Sequence, residues 1–323
     1  MKSRNAYFDY LRGIAILMIV AIHCYDAHST DSVQHLLRNT FNCAVPLFFA
    51  ISGFFLGRKD VKYTELVMTQ VPKVYIPMLV WSLPFLVSNL IAGKAIHSSL
   101  LMFLIGGFGV FYFIAVIIQY YLLLPVMVKV VDRFKMGGVF LSFVVSGLSV
   151  ATVTYHNIVS GMHLPLILYA GLFPLWSVFY ITGIYLGRQS NRQYPVVLPL
   201  VLMMFGLFLS QIESEYLFSN YGSGVGIKPT SFIFSLAMLF LLFSVKTETM
   251  VKKFLGQENS FLCYLGSVSF GIYLIHLHVV KRFASHLTDS WLLKWAITVV
   301  VTVCLIQLLR KIMPEKWHRY FGI

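Results

Sequence analysis

Apolar runs of about 20 residues, each long enough to cross the hydrocarbon core of a bilayer, recur along this chain with little between them. They fall near 9–28, 41–57, 74–93, 108–128, 137–155, 165–187, 194–212, 227–245, 260–280 and 290–309. Backbone polar groups in lipid must be satisfied within the segment, so uninterrupted runs of this length are helices. The expected fold class is therefore all-α: a polytopic integral-membrane bundle of about ten transmembrane helices, one domain over residues 1–323. Charged residues make up only 11% of the chain, against about 25% in soluble domains. The apolar stretch 98–107 is too short to cross and reads as a re-entrant or interfacial piece. The longest outer loops are expected at 29–40, 156–164 and 213–226.

A net charge of +13 raises nucleic acid as a partner, but the distribution of charge argues for membrane lipid instead. Of 25 Lys and Arg, only Arg38, Lys94, Lys228, Lys281, Arg282 and Lys294 fall on one side of a ten-span layout. The other nineteen, from Lys2 and Arg4 to Arg319, share the side of the N-terminus. An excess of Lys and Arg in short loops marks the cytoplasmic face, which places both termini there. The N-terminus is basic and then apolar, like a signal peptide. Asp9 and Arg12 interrupt it and no small-residue cleavage site follows, so it reads as retained. Cys24, Cys43, Cys263 and Cys304 lie in or at the ends of apolar runs, with no CxxC or Cys/His spacing. They read as packing residues, and no metal is expected.

The first span carries groups that lipid penalises. FDYLRGIAILMIVAIH, residues 8–23, holds Asp9, Arg12 and His23 in an otherwise apolar run, and ionisable groups within a span usually serve function. Arg12 and His23 are eleven positions apart, about three turns, so they share a helix face roughly 16 Å apart. Asp9, three residues before Arg12, joins that face. Asp26, three after His23 on the same helix, is placed to orient the imidazole, or is a solvated helix-end aspartate.

The ninth span, with YLGSVSFGIYLIHLHVV at 264–280, holds His276 and His278. Counting 1.5 Å per residue from Ser260 puts His276 at a depth similar to His23, as though the two lined one polar chamber. The plainer reading is that each meets a nearby backbone carbonyl or faces the headgroups. In QVPKVYIPMLVW, 70–81, Lys73 lies just inside the third span, with Gln70 one turn before it. Lys73 is bracketed by Pro72 and Pro77, which points to a shaped mouth rather than a plain helix. Arg58, Lys59 and Lys62 read as the topological signal. Ser52-Gly53, within VPLFFAISGFFLG at 45–57, suits close helix approach. Glu213, Glu215 and the stretch Tyr216–Gly224 read as a solvated outer loop, with the lining of an acceptor site as the alternative.

FDYLRGIAILMIVAIH, VPLFFAISGFFLG and SVSFGIYLIH together resemble the integral-membrane acyltransferase-3 family, whose bacterial members O-acylate cell-surface carbohydrates. The motifs occur in the family's order, over nearly the whole chain. The resemblance implies ten helices in a bacterial cytoplasmic membrane, acetyl-CoA or another acyl-CoA as co-substrate, and a carbohydrate or lipid-linked saccharide acceptor. The family's first-helix arginine and histidine, with ten residues between them, match Arg12 and His23. Its Arg-x-x-Arg pair at the start of the third helix corresponds to Gln70 and Lys73, which removes one charge and the bidentate fork. On this reading His23 is the general base or a transiently acylated group, and Asp9 holds Arg12. Asp26 or His276 orients the base, while Arg12, Lys73 and Gln70 receive the donor. From the residues alone, a proton-coupled transporter or a non-catalytic polysaccharide-assembly subunit remains open.

Overall fold

The computed structural model describes residues 5–26, 31–59, 62–162, 164–255 and 261–323. Lys2, Arg4 and Ser260, used above, lie outside the described residues. In chain order the helices are α1 (Ala6–Cys24), α2 (Ser32–Phe41), α3 (Ala44–Gly57), α4 (Tyr63–Ile91), α5 (Ile96–Ile105), α6 (Tyr112–Phe134), α7 (Met136–Thr154), α8 (Leu166–Ala170), α9 (Phe173–Arg188), α10 (Val197–Tyr221), α11 (Pro229–Leu242), α12 (Val245–Leu255), α13 (Phe261–Ser267), α14 (Ser269–Val279), α15 (Ser285–Leu287), α16 (Trp291–Ile312) and α17 (Glu315–Phe321). No strand occurs among the described residues.

Among the described residues, seven helical stretches are long and apolar enough to cross a membrane, with α2 and α3 counted as one. The pairs α11–α12 and α13–α14 bring the number to nine if each is a single broken span. The run at 165–187 does not form one long helix. It breaks at Gly171 into α8 and the 16-residue α9. Twelve of those 16 residues are buried, so protein encloses α9 on most sides.

Two expected loops are helical. Residues 29–40 become α2 from Ser32 onward, capped by the Asp31 carboxylate, which accepts from the Val33 amide at 2.8 Å. Helix α10 runs on through Glu213 and Glu215 and stops only at Gly222, whose φ of 66° suits glycine. Both stretches look like loop because they are polar, but Gln and Glu are good helix formers. The short run at 98–107 falls largely in α5.

The chain divides into two compact units: Met1–Lys59, Met127–His163 and Pro174–Ser269 in the first, and Asp60–Val126, Leu164–Phe173 and Phe270–Ile323 in the second. In the first, α1 buries twelve of its 19 residues. It packs on α13 at backbone distance. A Cβ on Gly13 would lie 2.1 Å from the Leu262 oxygen, and one on Gly266 1.9 Å from the Asp9 oxygen. Helices α3 and α9 cross through a glycine pair on each, Gly53 and Gly57 against Gly183 and Gly187. A Cβ on Gly53 would meet the Tyr180 oxygen at 2.3 Å, and one on Gly183 the Ala50 oxygen at 2.2 Å. The close approach read from Ser52-Gly53 is thus present, with α9 as the partner.

In the second unit, α4 is one 29-residue helix that includes Pro72, Pro77 and Pro84. The mouth expected from the prolines around Lys73 is therefore ordinary helix. Trp81 Nε1 ties α4 to α17 by donating to the Phe321 oxygen at 3.0 Å. The His278 ring stacks on Phe85 at 4.4 Å, and its Nε2 lies 2.8 Å from the Trp81 oxygen.

Candidate functional site

The first unit has a polar cluster at each end of α1. At the N-terminal end the Asn5 side chain caps the helix by accepting from the Tyr7 amide at 3.1 Å. Asp9 is buried, and its Oδ1 accepts from Arg12 Nη1 at 3.0 Å. Arg12 keeps 29% of its side chain exposed, so the carboxylate anchors a guanidinium that still reaches solvent. That guanidinium lies 5.3 Å from the Phe55 ring centre. The neighbouring Phe54 ring has Arg58 at 5.2 Å and Arg192 at 5.1 Å. Three arginines thus gather around one aromatic pair at the end of α3.

Arg192 is fixed in place. Its Nη1 donates to the Phe243 oxygen at 2.8 Å, and its Nη2 to Glu248 Oε2 at 2.9 Å. Lys252 Nζ donates to the other Glu248 oxygen at 2.6 Å. Glu248 lies on α12, which turns 71° away from α11. With Lys246, Lys252 and Lys253 in eleven residues, α12 is too polar to lie in lipid. Burial pushes the Glu248 carboxyl up, but hydrogen bonds from Lys252 and Arg192 more than offset this and hold it below the ordinary carboxylate range. A lowered folded-state value means the carboxylate adds stability above the ordinary value of 4.5 and loses it as pH falls through the folded value. The native chain should therefore melt above Glu248→Gln by a constant margin from pH 7 to about 5, worth about 2 kcal/mol. That margin should close in more acid, as melting curves across pH will show.

The opposite end of α1 carries His23, half-buried in the last turn. Because α1 is unbroken from Ala6 to Cys24, the eleven positions from Arg12 to His23 keep their common face and their span of about 16 Å. The helical placement of Asp26 does not hold, while its reading as a solvated helix-end aspartate fits. The helix ends at Cys24 and Tyr25 is extended, with ψ of 140°. Asp26 is then exposed beyond the end, and the helical spacing to His23 does not apply. A carboxylate in the last turn would oppose the helix dipole, which favours ending the helix before it.

Around this end, α2, α10 and the start of α11 contribute polar groups that the sequence reading missed. Lys228 Nζ, fully buried, donates to Asn39 Oδ1 at 2.6 Å, and Asn39 Nδ2 donates to Gln211 Oε1 at 2.8 Å. Asn42 Nδ2 donates to the Val225 and Gly226 oxygens. Glu213 is half-buried on α10 and accepts from the Thr230 amide at 3.0 Å and from its hydroxyl. It is therefore no solvated loop residue. His35 and Asn39, both buried, lie four apart on one face of α2, a spacing visible in the sequence once α2 is known to be helical.

The remaining predicted residues belong to the second unit. Lys73 is exposed on α4. Gln70, half-buried, donates to Thr69 Oγ1 at 3.3 Å. His276 is fully buried, with Nδ1 3.0 Å from the Ile272 oxygen one turn back. The helix leading to it is interrupted at Val268, so a depth counted along one straight span from Ser260 does not hold. The structure therefore brings Asp9, Arg12 and His23 onto one helix of the first unit, while Gln70, Lys73 and His276 are parts of the other.

Comparison with the curated proteins and with the solved structures finds no match. The model of the acyltransferase-3 family, described as an acyltransferase domain, matches residues 5–311. That span begins just before α1 and ends within α16, taking in nearly all of both units, so the chain belongs to the acyltransferase-3 family of membrane acyltransferases.

Proposed function

We propose that this protein moves an acetyl or similar acyl group from a cytoplasmic acyl-CoA to a hydroxyl of a cell-surface carbohydrate or a lipid-linked sugar. Its setting is a bacterial cytoplasmic membrane, crossed about ten times with both termini inside. The observation that carries the reading is the unbroken α1, which bears an anchored arginine near one end and a half-buried histidine three turns on. Family membership supplies the reaction class.

In this reading the donor's phosphates lie at Arg12, with Arg58 and the Phe54–Phe55 pair beside it. The pantetheine arm, comparable in length to the Arg12–His23 rise, carries the thioester along α1. His23 removes the proton of the acceptor hydroxyl, whose oxygen bonds to the thioester carbonyl carbon. The carbon–sulfur bond then breaks, and the proton passes from His23 to the departing thiolate, leaving an ester and free CoA.

Membranes containing the protein, given radiolabelled acetyl-CoA and host envelope carbohydrate, should move label into a glycan or lipid-linked fraction. Membranes lacking it should not. Label that stays in CoA while purified protein also fails to bind CoA would sink the reading. Asp9→Asn, which removes the charge anchoring Arg12, should raise the KM for acetyl-CoA roughly ten-fold, the value of one charge-assisted hydrogen bond. The KM for acceptor should not move, as initial rates with each substrate varied in turn will show.

A further inference from the structure

The first unit holds a second feature, separate from α1 and independent of the acyltransferase reading. Between α7, the end of α9, the start of α10 and α11 runs an apolar groove of about 710 Å³, walled by Phe140, Phe143, Leu198, Leu202, Ile233 and Phe240. It adjoins a recess of about 400 Å³ formed by Gln193, Val245 and Lys246. Tyr194 and Pro195 line both. Tyr194 is held in this shared wall by its hydroxyl, which donates to the Phe240 oxygen at 2.5 Å.

The two compartments differ in chemistry. The groove offers its occupant almost only carbon, at a volume typical of ligand sites. The recess offers the Gln193 amide and the Lys246 ammonium. Lys246 is exposed and makes no ion pair among the described residues. The nearest acid along its helix, Glu248, is taken by Arg192 and Lys252. Beside the groove, Arg188 is engaged by Asp132 at 3.2 Å. An occupant that suits both parts is an amphiphile with a long apolar chain and a negative head.

We propose that this groove and recess form a binding site for an anionic phospholipid, with one acyl chain along Phe140, Leu198 and Leu202 and the phosphate at Lys246. A water-soluble anion would leave the groove unfilled. A zwitterionic lipid would bring its own cation to Lys246 and forfeit the charge contact.

The test uses the purified full chain in detergent, with phosphatidylglycerol and phosphatidylcholine of identical acyl chains, and native mass spectrometry to count bound lipid. The native chain should bind phosphatidylglycerol about five-fold more tightly, the worth of one lysine near an anionic headgroup. Lys246→Gln should erase that preference and leave phosphatidylcholine binding unchanged. Leu202→Trp, which fills the groove, should weaken both lipids. Leu202 and Lys246 are exposed, so both variants should keep the native melting temperature in lipid-free detergent. Leu198→Trp replaces Leu202→Trp if that variant does not. Equal binding of the two lipids by the native chain would overturn the proposal. So would a phosphatidylglycerol preference that survives Lys246→Gln, or lipid binding indifferent to a tryptophan in the groove.

Discussion

His23→Ala is expected to lower kcat for acyl transfer by about 10²–10⁴-fold, the usual worth of a positioned general base, with the KM for acyl-CoA little changed. The separation of these effects follows from the layout of α1. The donor's charged end is assigned to Arg12, three turns from the imidazole, so losing the imidazole should leave donor binding in place. His23 occupies the last turn of the helix and is only half-buried, so alanine there should melt within a few degrees of the native chain. A variant that melts normally, binds CoA normally and transfers at the native rate would remove His23 from the chemistry. Labelled acetyl-CoA without acceptor adds a second readout. Label on the native protein but not on His23→Ala would mean that the imidazole itself is acylated before the acceptor is. No label on either, with transfer still dependent on His23, would favour direct attack by the acceptor.

The largest expected effect on stability is at Gly183. Valine there would place a Cβ 2.2 Å from the Ala50 oxygen and 2.9 Å from the Ala50 Cα, both backbone atoms. No side chain can swing aside, so α3 and α9 must part, and twelve of the 16 residues of α9 are buried. Overpacking of this kind costs about 1–3 kcal/mol, and the melting temperature should drop by roughly 2–5 °C for a chain of this length. Gly147→Ala, on α7, is the matched control. Nothing lies within 4 Å of a Cβ at Gly147, and alanine in a helix interior gains up to about 1 kcal/mol over glycine. That variant should melt at or above the native temperature. Equal melting of Gly183→Val and the native chain would mean that α3 and α9 do not cross at glycine distance.

Hydropathy alone made the helical membrane character legible, because lipid leaves the backbone few choices. The Asp9–Arg12–His23 face was legible for a related reason: three ionisable groups stand out in an apolar run, and helical periodicity aligns them. What the sequence hid were features set by packing. Helix α2 looks like a polar loop until its buried face, His35 and Asn39, is seen against the rest of its unit. The ends of helices were hidden too. A count of 3.6 residues per turn continues past Cys24 to Asp26 and through Val268 to His276, while the chain does neither. The pairing of Arg192 with Glu248 was hidden as well, since nothing local says that positions 56 apart in sequence meet. The notice given by Pro72 and Pro77 was misleading, because a long helix can absorb prolines where neighbouring groups take up the freed carbonyls.

The crossing of α3 and α9 has a bearing on handling the protein outside its membrane. Gly53, Gly183 and Gly187 each face a carbonyl oxygen of the other helix, so the joint is made of dispersion and Cα–H···O contacts. Neither of these depends on what solvent surrounds the bundle, as burial of greasy side chains does. Extraction into detergent changes the medium around lipid-facing residues such as Phe140 and Phe208 but leaves this joint's energetics as they were in the bilayer. The register between these two helices should therefore be the last part of the unit to loosen when lipid is stripped away.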